Sequence, residues 1–302
     1  MKKDFLTLRD ITQEEMWQIF DLAAKLKRER GKSTLKPLEG KSIGLIFAKS
    51  STRTRVSFEV GVHELGGTPL YLDQGKMQLG RGSETVGDTA HVLSRYLHGI
   101  VIRTYAHAGV EELAREADIP VINALTNEYH PCQLLADLFT VYEYSGKLDS
   151  TVKVGFFGDG RSNIANSIIL AARLSGIDLV VCAPEEERPD ETLMDNAPNV
   201  RWERCPEKAA EGLNYIYTDV WVSMGFEEDK ERRMALFRPY QVNRRIFDLA
   251  APDCKFLHCL PAHREEEVTA DVLDSPASIV FDEAENRLHV QKALMAKLIG
   301  KC

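Results

Sequence analysis

The chain has 302 residues, of which 44% are hydrophobic, so it is long enough for one large or two medium domains with a substantial core. Its 46 acidic residues outnumber the 38 basic ones and give a net charge of −8, which argues against bulk nucleic-acid affinity but allows a local basic pocket. No apolar run approaches the roughly 18 residues of a membrane span, so we expect no membrane partner. Because of the net charge we also expect no nucleic-acid partner.

The six cysteines are scattered along the chain without a Cys-x-x-Cys spacing. The first residues lack the apolar region of a signal peptide. Both observations predict reduced thiols and a cytoplasmic location.

Short apolar runs alternate with amphipathic stretches, a pattern typical of parallel sheets covered by helices on both faces. The predicted strands are 42–48, 68–72, 99–103, 119–123, 152–157, 178–182, 214–218, 255–258 and 278–281. The predicted helices are 12–29, 53–65, 84–96, 109–117, 132–145, 163–174, 241–249, 268–273 and 285–299. So many strands favour an α/β fold with two domains, each a mainly parallel sheet flanked by helices.

The stretch 145–150 ends a long helix and precedes a fresh apolar strand, so we predict the domain boundary there. The first domain is predicted to be 1–148 and the second 149–302. The C-terminal helix, about 285–302, could pack back on the first domain.

The decapeptide at 50–59, Ser-Ser-Thr-Arg-Thr-Arg-Val-Ser-Phe-Glu, lies between a predicted strand and a predicted helix. The amino end of a helix offers unbonded N–H groups and positive partial charge, which attract phosphate. Hydroxyls and two guanidiniums in the segment would add charge-assisted bonds to the same anion. We interpret it as a phosphate cradle, against the alternative of an N-capping cluster with surface arginines.

Two more polar segments follow predicted strands in the first half of the chain. Arg103 ends an apolar run, where a lone arginine is more often structural or solvated than catalytic. His130 and Gln133 flank Pro131, which suits the first turn of a helix. Their side chains could donate hydrogen bonds to a substrate oxygen, or simply cap the helix.

Two segments of the second half could hold the charged groups of a small molecule. The run 157–163 imitates a dinucleotide fingerprint, but Asn163 replaces its last glycine and the next strand lacks a terminal acid, so NAD binding is disfavoured. Asn163 at a helix start could bind a carboxylate instead. Asp219 follows an apolar strand and could pair with an ammonium or form an ordinary turn.

Cys259, also at a predicted strand end, allows three interpretations. It could be a nucleophile paired with His258 or His263, or a metal ligand together with these and with His130 and Cys132. Neither has a fingerprint spacing, and a buried thiol in a packed loop is the simpler alternative.

Taken in order along the chain, these segments resemble the ornithine carbamoyltransferases, and the resemblance runs nearly end to end. The Ser-Thr-Arg-Thr segment is shared with aspartate carbamoyltransferases and indicates carbamoyl phosphate. The Ser-Met-Gly loop at 223–225 and the His-Cys-Leu-Pro segment at 258–261 mark the ornithine branch.

The resemblance implies transfer of the carbamoyl group of carbamoyl phosphate to the δ-amine of L-ornithine, at an active site in the cleft between the two domains. It implies no metal and no organic cofactor. The residues it implies for carbamoyl phosphate are Ser51, Thr52, Arg53, Thr54, Gln78, Arg103, His130, Gln133, Cys259, Leu260 and Arg287. Those it implies for ornithine are Asn163, Asp219, Ser223 and Met224.

Arg103, His130 and Cys259 are the implied catalytic residues, with Cys259 orienting the substrate rather than forming a covalent intermediate. One departure is minor: Ser162 stands where some relatives have a second asparagine. Gln78 matches a glutamine supplied to a neighbouring subunit, which implies a homo-oligomer with a trimer as its basic unit.

Several alternatives remain open at this point. Another acceptor, putrescine or N-acetylornithine, would keep the same chemistry. A Rossmann-type NAD-binding protein, a non-catalytic paralogue and a zinc protein are the alternatives of other classes. The reaction could serve arginine biosynthesis or, in reverse, arginine catabolism.

Overall fold

The computed structural model describes residues 3–77, 79, 84–222 and 229–300. The chain forms two compact units, one of Met1–Ala136 with Glu285–Cys302 and one of Asp137–Ala284. Each contains a parallel sheet flanked by helices, which confirms the predicted fold class. Among the described residues, none of the helices has both the length and the apolar character needed to cross a bilayer.

The first unit is built on a four-stranded parallel sheet with the order β2-β1-β3-β4. The strands are β1 Ser42–Phe47, β2 Thr68–Asp73, β3 Gly99–Arg103 and β4 Val121–Leu125. Its helices are α1 Gln13–Arg28, α2 Thr52–Glu64, α3 Val86–Tyr96 and α4 His107–Glu116, with short 3₁₀ helices at Leu8–Asp10 and Gln74–Lys76.

Two further helices begin in one unit and end in the other. They are α5 Pro131–Ser145 and α12 Val280–Leu298. The chain therefore passes between the units within helices rather than within loops.

The second unit is built on a five-stranded parallel sheet with the order β7-β6-β5-β8-β9. The strands are β5 Lys153–Phe157, β6 Asp178–Cys182, β7 Val200–Glu203, β8 Tyr215–Thr218 and β9 Lys255–Leu257. Its helices are α6 Asn163–Ser175, α7 Glu191–Met194, α8 Pro206–Ala210, α9 Lys230–Phe237, α10 Arg244–Phe247 and α11 Ala270–Leu273, with 3₁₀ helices at Glu185–Glu187 and Arg238–Tyr240.

The central strands are apolar because both of their faces are covered. The side chains of β3 and β4 are buried almost throughout, whereas the edge strand β2 is largely exposed. Parallel pairing places Phe47 of β1 beside Arg103 of β3, so the loops after these strands emerge at the same edge of the sheet. In α/β proteins, ligands bind at this carboxyl edge.

Every predicted strand except 278–281 overlaps an observed one. That prediction is wrong: Ser278 makes only an isolated bridge to Phe256, and Val280 begins α12. A short apolar run does not by itself distinguish a strand from a buried helix start. The sequence also missed β7, an edge strand in which Val200 and Trp202 alternate with charged residues.

Candidate active site

Helix α2 begins directly after β1 and carries the predicted phosphate segment on its first turn. Ser51 is the N-cap, and its Oγ accepts a hydrogen bond from the Thr54 backbone N–H over 3.3 Å. Thr52 and Arg53 are exposed on this turn, and only the side chain of Thr54 points into the protein. The segment therefore presents a polar, positive helix end at the carboxyl edge of the sheet.

The Thr54 hydroxyl links three elements of the first unit. Its Oγ1 accepts a hydrogen bond from Arg287 Nη2 over 2.8 Å, and Arg103 Nη1 lies 3.4 Å from the same oxygen. Since both guanidiniums donate to the oxygen, the hydroxyl hydrogen points elsewhere and can be donated to a ligand.

His130 and Gln133 lie at the start of α5, in the same unit, and are 4% and 1% exposed. The pKa of His130 lies well below 6.5, first because the ring is buried and further because Arg287, Arg103 and Arg53 are nearby. The imidazole is therefore neutral at neutral pH and can donate one hydrogen bond. The predicted residues Arg53, Arg103, His130 and Arg287 thus share one electrostatic environment.

The neighbouring residue Cys132 has a structural role instead. Cys132 is buried, its Sγ donates to the Asn123 carbonyl over 3.3 Å, and burial raises its pKa to about 12. These properties describe a structural thiol rather than a nucleophile or metal ligand.

Sequence reasoning missed Lys49, which is only 6% exposed. Its Nζ donates to Asn127 Oδ1 over 2.5 Å and lies 4.5 Å from the centre of the Tyr105 ring. These partners follow β4 and β3, so Lys49 joins loops at the edge that carries Ser51. A lysine directly after a buried strand was the available signal.

In the second unit, Asp219 and Cys259 are hydrogen-bonded to each other. The Cys259 thiol donates to Asp219 Oδ1 over 3.2 Å, and the Val220 N–H donates to the same oxygen over 2.8 Å. Loss of hydration raises the pKa of Asp219. The pKa of Cys259 is raised well above 9, first by loss of hydration and further by the nearby Asp219 and Glu283. The thiol therefore stays protonated at neutral pH and acts as a donor, not as a thiolate nucleophile.

His258 stabilises the loop that carries Cys259. The Leu260 N–H donates to His258 Nδ1 over 2.9 Å, which places the ring hydrogen on Nε2, facing Glu267 Oε1 at 3.2 Å. Leu260 itself has a φ of 59°, the left-handed region that few side chains adopt, and is joined to Pro261 by a cis peptide bond.

Two groups of described residues have the chemistry of metal ligands, Asp219 with His258 and Cys259, and His263 with Glu266 and Glu267. In the first group both ring nitrogens of His258 already have partners. A metal ion there would have to displace the bonds that shape the loop, which disfavours the zinc hypothesis.

Asn163 is the first residue of α6, and the N-cap Ser162 accepts from the Ala165 N–H over 3.1 Å. The glycines before it have a packing role. Gly158 has a φ of 133°, and a Cβ at Gly160 would lie 2.4 Å from the Glu187 carbonyl oxygen. The apparent dinucleotide fingerprint therefore has an explanation that needs no dinucleotide.

Three predicted site residues, Gln78, Ser223 and Met224, lie outside the described residues. The others fall into two groups by unit. Ser51, Thr52, Arg53, Thr54, Arg103, His130, Gln133 and Arg287 belong to the first unit, and Asn163, Asp219, Cys259 and Leu260 to the second.

In comparison with known proteins, both halves of the chain match domains of one protein family. Residues 3–143 match the carbamoyl-P binding domain of aspartate/ornithine carbamoyltransferases, and residues 150–298 match their Asp/Orn binding domain. The chain belongs to the aspartate/ornithine carbamoyltransferase family. The family resemblance predicted from the sequence is thereby confirmed.

Curated members of this carbamoyltransferase family align over nearly the whole chain. The ornithine carbamoyltransferase of Bacillus subtilis (strain 168) is 48% identical over 308 residues, which cover 99% of this chain and 94% of that protein. The one from Archaeoglobus fulgidus is 47% identical over 304 residues, covering 99% and 98%.

Solved carbamoyltransferase structures share the fold. The ornithine carbamoyltransferase from Pyrococcus furiosus has a TM-score of 0.95 at 47% identity and covers 100% of this chain and 98% of its own. The one from Thermus thermophilus has a TM-score of 0.90 at 41% identity, with 99% of both chains covered.

Proposed function

We propose that this protein is an ornithine carbamoyltransferase: it transfers the carbamoyl group of carbamoyl phosphate to the δ-amine of L-ornithine and releases L-citrulline and phosphate. The observation that carries the proposal is the full-length match to ornithine carbamoyltransferases at about half of all positions. The site geometry supports it independently, because each unit presents groups suited to one of the two substrates.

Carbamoyl phosphate is proposed to bind the first unit. Its phosphate is an anion, which the N–H groups at the start of α2, the Ser51 to Thr54 segment and Arg53 would hold. Gln133 would hold the carbamoyl group. We propose 1–148 and 149–302 as the carbamoyl-phosphate and ornithine domains, with residues 285–302 packed on the first.

Ornithine is proposed to bind the second unit through its α-amino acid head group. Asn163, at the amino end of α6, would bind the α-carboxylate, and Asp219 would pair with the α-ammonium, with Ser223 and Met224 completing the contacts. The partly buried carboxylate of Asp219 suits a cationic ligand. Aspartate would instead bring a second carboxylate towards Asp219, which like-charge repulsion disfavours.

The reaction needs two kinds of assistance. The δ-amine must lose its proton before it attacks, so the site has to disfavour the ammonium form by desolvation. Attack on the carbamoyl carbon then creates an oxyanion, for which Arg103, His130 and the Thr54 hydroxyl are the proposed donors. The departing phosphate takes the electron pair of the broken C–O bond, accepts the proton that the attacking nitrogen gives up, and is stabilised by Arg53.

Cys259 and Leu260 are proposed to close over the reacting groups. The Cys259 thiol is a hydrogen-bond donor to Asp219, so its role is orientation rather than covalent catalysis. Leu260 contributes through a backbone conformation that the His258 ring fixes.

We further propose a homo-oligomer with a trimer as its basic unit, in which Gln78 reaches the site of a neighbouring subunit. The family resemblance supports this. Sedimentation would give the assembly state, and mixing Gln78→Ala with Arg53→Ala chains would test the sharing: hybrids recover some intact sites only if Gln78 acts in a neighbour. A cytoplasmic location and a role in arginine biosynthesis remain predictions.

The deciding experiment is citrulline formation with ornithine, putrescine, N-acetylornithine and aspartate compared side by side. We expect turnover with ornithine far above the other three. Activity only with aspartate, or only with putrescine, would overturn the proposal, and no activity with any amine would favour a non-catalytic paralogue.

A further inference from the structure

Arg233 lies on α9 in the second unit, and its guanidinium contacts three separate segments. Nε donates to the Trp221 carbonyl over 2.6 Å, and Nη2 donates to Asp159 Oδ2 over 2.6 Å. Nη1 lies 3.8 Å from Glu187 Oε1. The Arg233 side chain is only 8% exposed, so these contacts replace its hydration.

Two of these contacts are next to the proposed ornithine residues. Asp159 lies in the turn between β5 and α6, which leads directly to Asn163. Trp221 lies in the loop after β8, just beyond Asp219. One side chain therefore connects the loop that presents Asn163 with the loop that presents Asp219.

The loops also pack directly against each other at Trp221, which is fully buried. A Cβ added at Gly158 would lie 3.7 Å from Trp221 Cδ1, so the glycine backbone is close to the indole. Trp221 also stacks on Phe237, with ring centroids 6.4 Å apart. The Arg233 guanidinium carbon lies 5.0 Å from the same phenyl ring.

We infer that Arg233 is a positioning residue: by joining the Asp159 and Trp221 loops it fixes the spacing between Asn163 and Asp219 that an α-amino acid head group requires. The head group has its carboxylate and ammonium on one carbon, so it tolerates little change in that spacing. The inference rests on the proposed function, because ornithine is the ligand it concerns.

The planar guanidinium suits this role better than a lysine would. Nε and Nη2 are fixed relative to each other and donate to acceptors in two different loops. A lysine ammonium supplies the same charge from one atom and cannot reproduce both directions. Arg233→Lys therefore keeps the positive charge and removes the hydrogen-bond geometry, so the two effects can be measured separately.

The test compares steady-state kinetics of the full-length wild type with Arg233→Lys, Arg233→Gln and Asp159→Asn. We expect Arg233→Lys to stay folded and to raise the KM for ornithine about 10- to 100-fold, because a small displacement of binding groups costs up to about two orders of magnitude. The KM for carbamoyl phosphate should stay unchanged. Asp159→Asn should raise the ornithine KM less, since the Trp221 contact remains.

The matched control is Arg244→Gln, which removes an exposed arginine that pairs with Asp248 in the same unit. It should leave both KM values unchanged. In a double variant, Asp159→Asn should add little to Arg233→Gln if the two residues act as one contact. If Arg233→Gln fails to fold, Arg233→Lys and Asp159→Asn decide the matter.

A folded Arg233→Lys with the wild-type ornithine KM would overturn the inference. An equal rise in both KM values would also overturn it, because general structural damage does not select ornithine. A wild-type chain that forms no citrulline refutes the proposed function itself, and that measurement comes before any variant.

Discussion

Arg287 donates a hydrogen bond from Nη2 to the Thr54 hydroxyl over 2.8 Å, although 233 positions separate the two residues in the chain. Both are almost completely buried, and Arg103 approaches the same oxygen. The hydroxyl is thus held by two cations, which orient it before any ligand binds. Preorganised donors of this kind need no rearrangement when charge develops.

Arg287→Gln should therefore weaken carbamoyl phosphate binding. We expect its KM to rise roughly 30-fold, the equivalent of about 2 kcal/mol for the loss of a hydrogen bond from a charged donor. Steady-state kinetics with carbamoyl phosphate as the varied substrate would measure this. Lys297→Gln, a change on the same helix at a lysine that contacts Gln18, is the control and should behave as the wild type.

The arginines of the phosphate segment should differ in importance. Arg55 already has partners, since its Nε donates to Glu59 over 2.9 Å and its guanidinium lies 3.8 Å above the Tyr71 ring. Arg53 instead helps to lower the pKa of His130, so it lies near the predicted carbamoyl phosphate site. Arg53→Gln should raise the carbamoyl phosphate KM about tenfold or more, and Arg55→Gln much less. Equal losses in the two variants would contradict this assignment.

The depressed pKa of His130 predicts a stability change at mildly acidic pH. In the folded protein the ring stays neutral because of burial and the nearby Arg287, Arg103 and Arg53. In the unfolded chain it takes up a proton below about pH 6.5. Since the unfolded state then binds more protons, the His130 contribution to stability is present above that pH and is lost as the pH falls below it.

Thermal unfolding at about pH 7.5 and about pH 5.5 would test this, with wild type and His130→Gln compared. Acidification should lower the melting temperature of His130→Gln by less than that of the wild type. Burial also lowers the pKa of His107 and His289, so part of the acid sensitivity should survive. An identical acid-induced loss in both proteins would show that His130 is not the group involved.

The sequence predicted those parts of the site that follow from strand ends. Arg103 ends β3, and the segment beginning at Ser51 follows β1, both as the alternating pattern indicated. Parallel pairing then brings these ends to one edge, a consequence that requires no knowledge of side-chain contacts. The roles of these residues stay predictions.

Contacts between distant segments could not be predicted in this way. Arg287 was named only through the family resemblance, because helical periodicity does not tell which residue will face Thr54. Arg233 was missed for a different reason: it lies in the charged run 229–233, which is typical of a solvated helix. Its burial depends on Asp159 and Trp221, far away in sequence.

Asp219→Asn should affect ornithine selectively. The asparagine Oδ1 can still accept from Val220 N–H and the Cys259 thiol, so the loop should keep its shape and lose only the charge. We expect the ornithine KM to rise roughly 30-fold, as for about 2 kcal/mol from one charged hydrogen bond, with the carbamoyl phosphate KM unchanged. Asp253→Asn, at an exposed carboxylate of the same unit, is the control. If Asp219→Asn raised the carbamoyl phosphate KM while Arg53→Gln raised that of ornithine, the domain assignment would be refuted.

The last prediction concerns the protonated state of Cys259. Alkylation by iodoacetamide requires a thiolate, and the pKa of Cys259 is raised well above 9 by loss of hydration and by the carboxylates of Asp219 and Glu283. Cys205 and Cys259 are both partly exposed. At neutral pH we therefore expect Cys205 to be alkylated well before Cys259, as peptide mass mapping over time would show.

The same argument predicts the relative activities of two Cys259 variants. Cys259→Ser keeps a group that can donate to Asp219 and should retain substantial activity, whereas Cys259→Ala removes the donor and should lose more, mainly in kcat. A nucleophilic cysteine would give the opposite result in both experiments: rapid alkylation of Cys259 with loss of activity, and a serine variant as inactive as the alanine variant.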